Sequence, residues 1–256
     1  MNMCGRTCCT LPPDVLPYAC TTGRTGKKKQ QLPKWNTLKE KSVEDTEDDK
    51  KKSKGCHYIP STNIAPTLYT PVMLLVSPNH QKSNAPLQNK QEENNESGPV
   101  VMLQSMMWGL IPPWHRSDSP KGHGLTTNNA RIENIKESKL YRHPLENNQR
   151  CVVICDGFYE WKTFKDGTKQ PYLIYAKQTC SKCEPNSNRA EACVHTCVLK
   201  NQTLEMASRN WTEDRGWTGQ KPLFMAGIYS KWNPTVRSIN EKKLSNPVYS
   251  YTVLTR

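Results

Sequence analysis

The sequence predicts an α+β fold, mainly antiparallel and barrel-like, with a few flanking helices. Three observations predict it. Six or more short runs are rich in Val, Ile, Leu, Met and aromatic residues and have strand length. Turn signals such as Asp166-Gly167 separate consecutive runs, so neighbouring strands can fold back on each other. Helical spacing is confined to short stretches.

Taken in order, Leu11, Val15, Leu16, Tyr18 and Ala19 follow Pro12-Pro13-Asp14 and predict a short helix. Residues 22–55 read as a mixed-charge polar insert, with Lys27-Lys28-Lys29, an acidic run from Glu44 to Asp49, and Lys50-Lys51-Lys52. Pro71 to Val76 predicts a buried strand, and residues 77–99 a polar loop. Val100 to Leu103 restarts a strand that leads into Met107-Trp-Gly-Leu-Ile-Pro-Pro-Trp114, a stiff turn. Thr126 to Glu133 predicts a polar turn, followed by a helix to about Tyr141. Cys151 to Trp161 predicts one buried strand with a polar, aromatic tip, and Gln170 to Ala176 its return strand. Residues 177–221 read as a third insert; Leu223 to Ser230 and Val248 to Leu254 as two more strands.

The apolar fraction of 35% is low, so part of this chain is expected outside any core. No apolar run approaches the ~18 residues that a membrane span needs, so no membrane partner is expected. The first twenty residues carry no basic-then-apolar leader, so secretion is not expected. Eleven cysteines, an odd number at irregular spacing, fit reduced thiols in a cytosolic or nuclear protein. A net charge of +13 points to an anionic partner, nucleic acid first.

Cys4 offers chemistry that an internal cysteine lacks. Once the residues before it are removed, its α-amine and thiol form a 1,2-aminothiol. The amine condenses with an aldehyde, and the thiol closes a thiazolidine ring with the effective molarity of a tethered nucleophile. An α-amine titrates near ~8, so about a tenth is neutral at pH 7, against roughly one lysine in two thousand. Glu160, between Tyr159 and Trp161 at a strand end, reads as a partly desolvated carboxylate suited to general acid–base work, or as an outward-facing strand residue. Arg131 suits bidentate phosphate contact and Asn129 can orient a nucleophile; a helix cap with a solvated Arg is the alternative. Cys180, Cys183, Cys193 and Cys197 imitate a zinc site, but the pairs are close together in a polar insert, so no metal or other cofactor is assigned.

Eight motifs in chain order resemble the SRAP (SOS response-associated peptidase) family. They are Met3-Cys4-Gly5-Arg6, Asn63-Ile-Ala-Pro66, Trp108-Gly-Leu-Ile-Pro-Pro-Trp114, Asn129-Ala-Arg131-Ile-Glu133, Cys155-Asp-Gly-Phe-Tyr-Glu-Trp161, Gln170-Pro-Tyr-Leu-Ile-Tyr175, Met225-Ala-Gly-Ile228 and Tyr251-Thr-Val-Leu-Thr255. The resemblance implies one domain over 4–256, incomplete at its C-terminus, with the inserts at about 22–55, 77–99 and 177–221. It implies a shield for abasic sites in single-stranded DNA, acting as a monomer at replication forks, nuclear or chromosomal with the cytoplasm as a second location. Cys4 would be the nucleophile and attachment point, Asn129 would position the sugar, and Glu160 would move protons. Arg6 and Arg131 would contact the DNA backbone, and Trp114 would stack on a base.

The resemblance also implies self-processing, with the Cys4 thiol attacking the Met3 carbonyl. Two departures stand out. The family's cysteine follows the initiator Met directly, whereas Met1 and Asn2 precede Met3 here, so Cys4 needs self-cleavage or a start at Met3 to become terminal. The family's catalytic histidine lies in a His-x-Arg-x-Pro stretch beyond the strand matching Tyr249 to Thr255, and this sequence stops at Arg256. Enzymatic activity, as autopeptidase and lyase-like crosslinker, is therefore left open. The rival readings are a non-catalytic basic single-stranded nucleic-acid-binding module and a zinc module.

Overall fold

The computed structural model describes residues 5–21, 32–36, 58–76, 100–117, 119–178, 211–212, 216–234 and 247–256. Cys4, most of the three polar inserts and the Cys180–Cys197 cluster lie outside the described residues.

The elements run β1 (Thr7–Cys9), α1 (Leu16–Ala19), β2 (Lys34–Trp35), β3 (Ser61–Ile64), β4 (Tyr69–Val76), β5 (Val100–Trp108), β6 (Asn129–Arg131), a 3₁₀ turn (Ile132–Asn134), α2 (Lys139–Glu146), β7 (Arg150–Cys155), β8 (Gly157–Thr163), β9 (Lys169–Tyr175), β10 (Trp211–Thr212), β11 (Gly216–Trp217), β12 (Leu223–Trp232) and β13 (Val248–Thr255). The larger sheet has the order β2-β5-β4-β7-β12-β13-β6, and a further β5–β13 pairing closes its five inner strands into a barrel. Pairing inside the barrel is antiparallel except at that parallel closure. The smaller sheet has the order β3-β1-β8-β9. The expected α+β, largely antiparallel architecture is therefore the one observed.

Alternation decides which side chains fill the barrel. Val72, Leu74, Met106, Trp108, Cys151, Val153, Tyr251 and Val253 form one buried cluster. The intervening Leu103 and Ile154 join Leu11, Val15, Leu16 and Ile64 in a second, between the barrel, α1 and the smaller sheet. Leu140 of α2 packs with Ile228 of β12 in a third. Gly227 marks where β12 passes from β7 to β13: a Cβ there would meet Cys151 Sγ and Thr252 O at 2.9 Å each. Only the missing side chain lets three strands approach this closely. Pro71 stands on β4 one residue before its pairing with β7 begins, where its missing N–H costs no ladder bond.

Several expectations change. The 151–161 run is two strands, because the chain turns a corner at Asp156 and passes from the barrel to the smaller sheet. Trp108 ends β5 instead of beginning a turn; the turn starts at Gly109, whose φ is +117°. Asn129 and Arg131 lie on the short strand β6, held in parallel register by Val253 and Thr255, not on a free turn. The helix expected to end near Tyr141 begins at Lys139 and runs to Glu146. The insert margins also pack inward: Trp35 and Trp217 lie against the second core cluster. Their polar surroundings in sequence hid this. Among the described residues no helix is long and apolar enough to cross a membrane.

Candidate functional site

The site is built from the amino-terminal strand. Strand β1 is not an edge strand: it lies between β3 and β8, with Thr7 opposite both Ile64 and Phe158. A terminal segment hydrogen-bonded on both sides is held as firmly as an internal one. The Tyr159 N–H donates to Arg6 O at 3.0 Å, and the Asp156 N–H to Cys8 O at 2.8 Å. Asp156 Oδ2 accepts from the Thr10 N–H and the Thr10 hydroxyl, both at 2.6 Å. Tyr58 Oη stands 2.8 Å from Cys9 O and 3.0 Å from Leu11 O, which fixes the next turn of chain.

The β1–β8 register, continued one step past the Arg6–Tyr159 bond, sets Gly5 opposite Glu160. Gly5 also passes close to two other segments: a Cβ there would lie 3.1 Å from Pro66 Cγ and 3.5 Å from Asn128 Nδ2. The residue bonded to Cys4 thus sits among the strand carrying Glu160, the turn carrying Pro66, and the start of β6. Glu160 is buried, at 9% exposure. Its burial does not come from Tyr159 and Trp161, as the sequence suggested, because strand neighbours point to opposite faces. Tyr172, its cross-strand partner, shares its face.

Asn128 is held on two sides, its carbonyl accepting from Trp108 Nε1 at 2.9 Å and from the Val253 N–H at 3.0 Å. This positions Asn129, whose Oδ1 is shielded from solvent and whose carbonyl accepts from Tyr141 Oη at 3.3 Å. Arg6 is exposed, with Nη1 3.4 Å from Asn63 Oδ1. Arg131 is exposed at the end of β6. Trp114 is 51% exposed, on the turn at Pro113.

The other thiols of this region are chemically quiet. Burial first, then the nearby Asp156 charge, pushes the Cys8 thiol up to about 12. Burial alone takes Cys20 and Cys151 to about 12, and burial leads the upward shifts of Cys9 and Cys155. Sequence reasoning missed Asp156, Thr10, Pro66 and Asn128. The one signal for Asp156 was a charged residue between an apolar strand and Gly157; its Thr10 partner lies far away in sequence.

The fold is a closed β-barrel with a second sheet, and the candidate site gathers Gly5, Pro66 and Asn128 beside the strand that carries Glu160. The family model described as SOS response associated peptidase (SRAP) matches residues 3–256, and the chain belongs to that family. The protein of Xenopus tropicalis named abasic site processing protein HMCES is 33% identical over 253 residues, 99% of this chain and 57% of the relative. The chain therefore spans little more than half the length of that relative. The abasic site processing protein YoaM of Bacillus subtilis is 40% identical over 95 residues, 37% of this chain and 40% of its own. A solved structure from Bordetella bronchiseptica covers 98% of this chain and 71% of the other, with a TM-score of 0.47 at 12% identity.

Proposed function

We propose that this chain processes abasic sites in single-stranded DNA by covalent capture at Cys4. The observation that carries the reading is the clamped β1, which leads Gly5 to Glu160 and Asn128. The names of the relatives, abasic site processing proteins, support the substrate class.

The ring-opened abasic sugar carries an aldehyde at C1. The Cys4 α-amine adds to it, and loss of water, with Glu160 supplying and recovering the proton, leaves an imine. The Cys4 thiol then adds to the imine carbon, and its proton passes to the nitrogen. The product is a thiazolidine, with no oxidant or reductant needed. Freeing the amine uses the same thiol: Cys4 Sγ attacks the Met3 carbonyl, the amide nitrogen leaves as the new terminal amine, and water hydrolyses the thioester. Asn129 orients the sugar. Arg6 and Arg131 meet the DNA backbone, Trp114 stacks on a base, and the net charge of +13 favours the encounter. A monomer working on replication-fork DNA in the nucleus fits this reading.

The test mixes protein beginning at Cys4 with single-stranded DNA holding one abasic site, and looks for an adduct that survives heating in detergent. An adduct absent from Cys4→Ala is expected. No adduct from the correctly exposed terminus overturns the proposal. Salt-sensitive binding unchanged in Cys4→Ala then marks a non-catalytic binding module.

A further inference from the structure

A cavity of about 250 Å³ opens beside Gly5. Pro66 and Asn128, the two residues against which Gly5 packs, are also two of its walls. Lys121, His123 and Thr127 line it as well. The segment bearing Lys121 and His123 is a built wall. Buried His115 donates from Nε2 to Ser119 O at 2.8 Å, and its carbonyl accepts from Trp232 Nε1 at 2.9 Å. The His115 and His123 rings meet edge to face at 5.5 Å. The Leu125 N–H donates to His123 Nδ1 at 3.2 Å, which places the proton of the neutral ring on Nε2, where it can donate. Burial, and then neighbouring His115, lowers the His123 pKa.

This wall gathers donors: an ammonium, an imidazole N–H, a hydroxyl and an amide. Such a set suits phosphate and sugar oxygens, while Pro66 and Leu125 offer apolar surface to a flat ring. The volume lies below the ~300–1,000 Å³ of drug-sized sites, which sizes it for one nucleotide unit. We propose that this cavity seats the nucleotide joined to the captured abasic sugar, with Lys121 on its phosphate and His123 Nε2 donating beside it. The inference rests on the reading that Cys4 captures that sugar.

The experiment compares three oligonucleotides whose abasic site is internal, at the 5′ end or at the 3′ end. Wild-type protein is expected to crosslink the internal lesion faster than one of the two terminal ones. Lys121→Ala and His123→Ala are each expected to remove about tenfold of that preference, the worth of one charge-assisted hydrogen bond. Lys121 is exposed, so its replacement leaves the fold intact, and an unchanged melting temperature checks this. A wild-type protein without the preference, or variants that keep it, overturns the inference. A tetrahydrofuran analogue, which has no aldehyde, separates the two readings. Lys121-dependent binding to it sustains the subsite even where crosslinking fails; binding indifferent to Lys121 removes it.

Discussion

Thr10 gives two hydrogen bonds to a single carboxylate oxygen, Asp156 Oδ2, from its N–H and from its hydroxyl, both at 2.6 Å. Asp156 is 1% exposed and stands at the corner between β7 and β8, so this pair ties the end of β1 to the junction of the two sheets. Thr10→Val keeps the shape and removes the hydroxyl, leaving a buried carboxylate oxygen with one donor fewer. The expected loss is about 1–3 kcal/mol of stability, read as a lower denaturant midpoint. Because β1 leads to Cys4, crosslinking should slow as well, and Thr10→Ser should recover both.

The same carboxyl makes stability depend on pH. Burial raises the Asp156 pKa above 3.8, and the two Thr10 bonds only partly oppose it. A raised acid binds its proton more tightly in the folded chain than in the unfolded one. Its contribution is therefore most favourable below 3.8, and it declines as pH rises from there through the raised folded value. Asp156→Asn removes this titration. The stability of wild type relative to Asp156→Asn should increase as pH is lowered from neutral towards 4 and level off below it. Urea midpoints of both proteins at a series of pH values check the slope; a difference that shrinks on acidification contradicts it.

Glu160→Gln tests the proton-moving role without changing shape. Loss of a positioned acid–base group costs typically 10²–10⁴ in rate. Both removal of Met1–Met3 and capture of the abasic sugar should slow within that range, with the melting temperature nearly unchanged. Intact mass over time reports the first, and gel-shifted adduct the second. If only stability falls, Glu160 is a packing residue.

What the sequence made legible follows from the length scale of each signal. Strands β4, β7 and β12 contain continuous apolar runs, β13 mixes apolar and aromatic residues with Ser and Thr, and the β8–β9 hairpin carries Asp166-Gly167, whose glycine has φ +83°. Such features are local, so the residues alone reveal them. Strand β1 was missed because Thr-Cys-Cys is three residues long and owes its structure to neighbours from β3 and β8. β6 was missed for the same reason, since Val253 to Thr255 hold Asn129 to Arg131 in register. Of the candidate site, the sequence offered Cys4, Asn129 and Glu160 as reactive residue types in recognisable motifs, and Cys4 lies outside the described residues. The cavity beside Gly5 was not legible, because Pro66 and Thr67, Met107 to Gly109, and the 120–128 stretch with Lys121, His123 and Asn128 are three separate segments that only the fold brings together. The flanking aromatics of Glu160 misled, since adjacency in sequence is opposition in a strand.

Three cysteines fall within the first nine residues, Cys4, Cys8 and Cys9, and the fold separates their chemistry. The thiolate is the nucleophile, and a thiol at about 12, such as Cys8, is ionised in about one molecule in ten thousand at pH 8. Cys8 and Cys9 are also at most 2% exposed, because β1 lies between two strands. Iodoacetamide applied to the folded protein at pH 8 should therefore leave Cys8, Cys9, Cys20, Cys151 and Cys155 unmodified, and label all five in denaturant. Peptide mapping by mass spectrometry distinguishes the two patterns. Protection of these five leaves Cys4 as the sulfur at the amino terminus able to close a ring, whereas rapid labelling of native Cys8 would place a competing nucleophile four residues away.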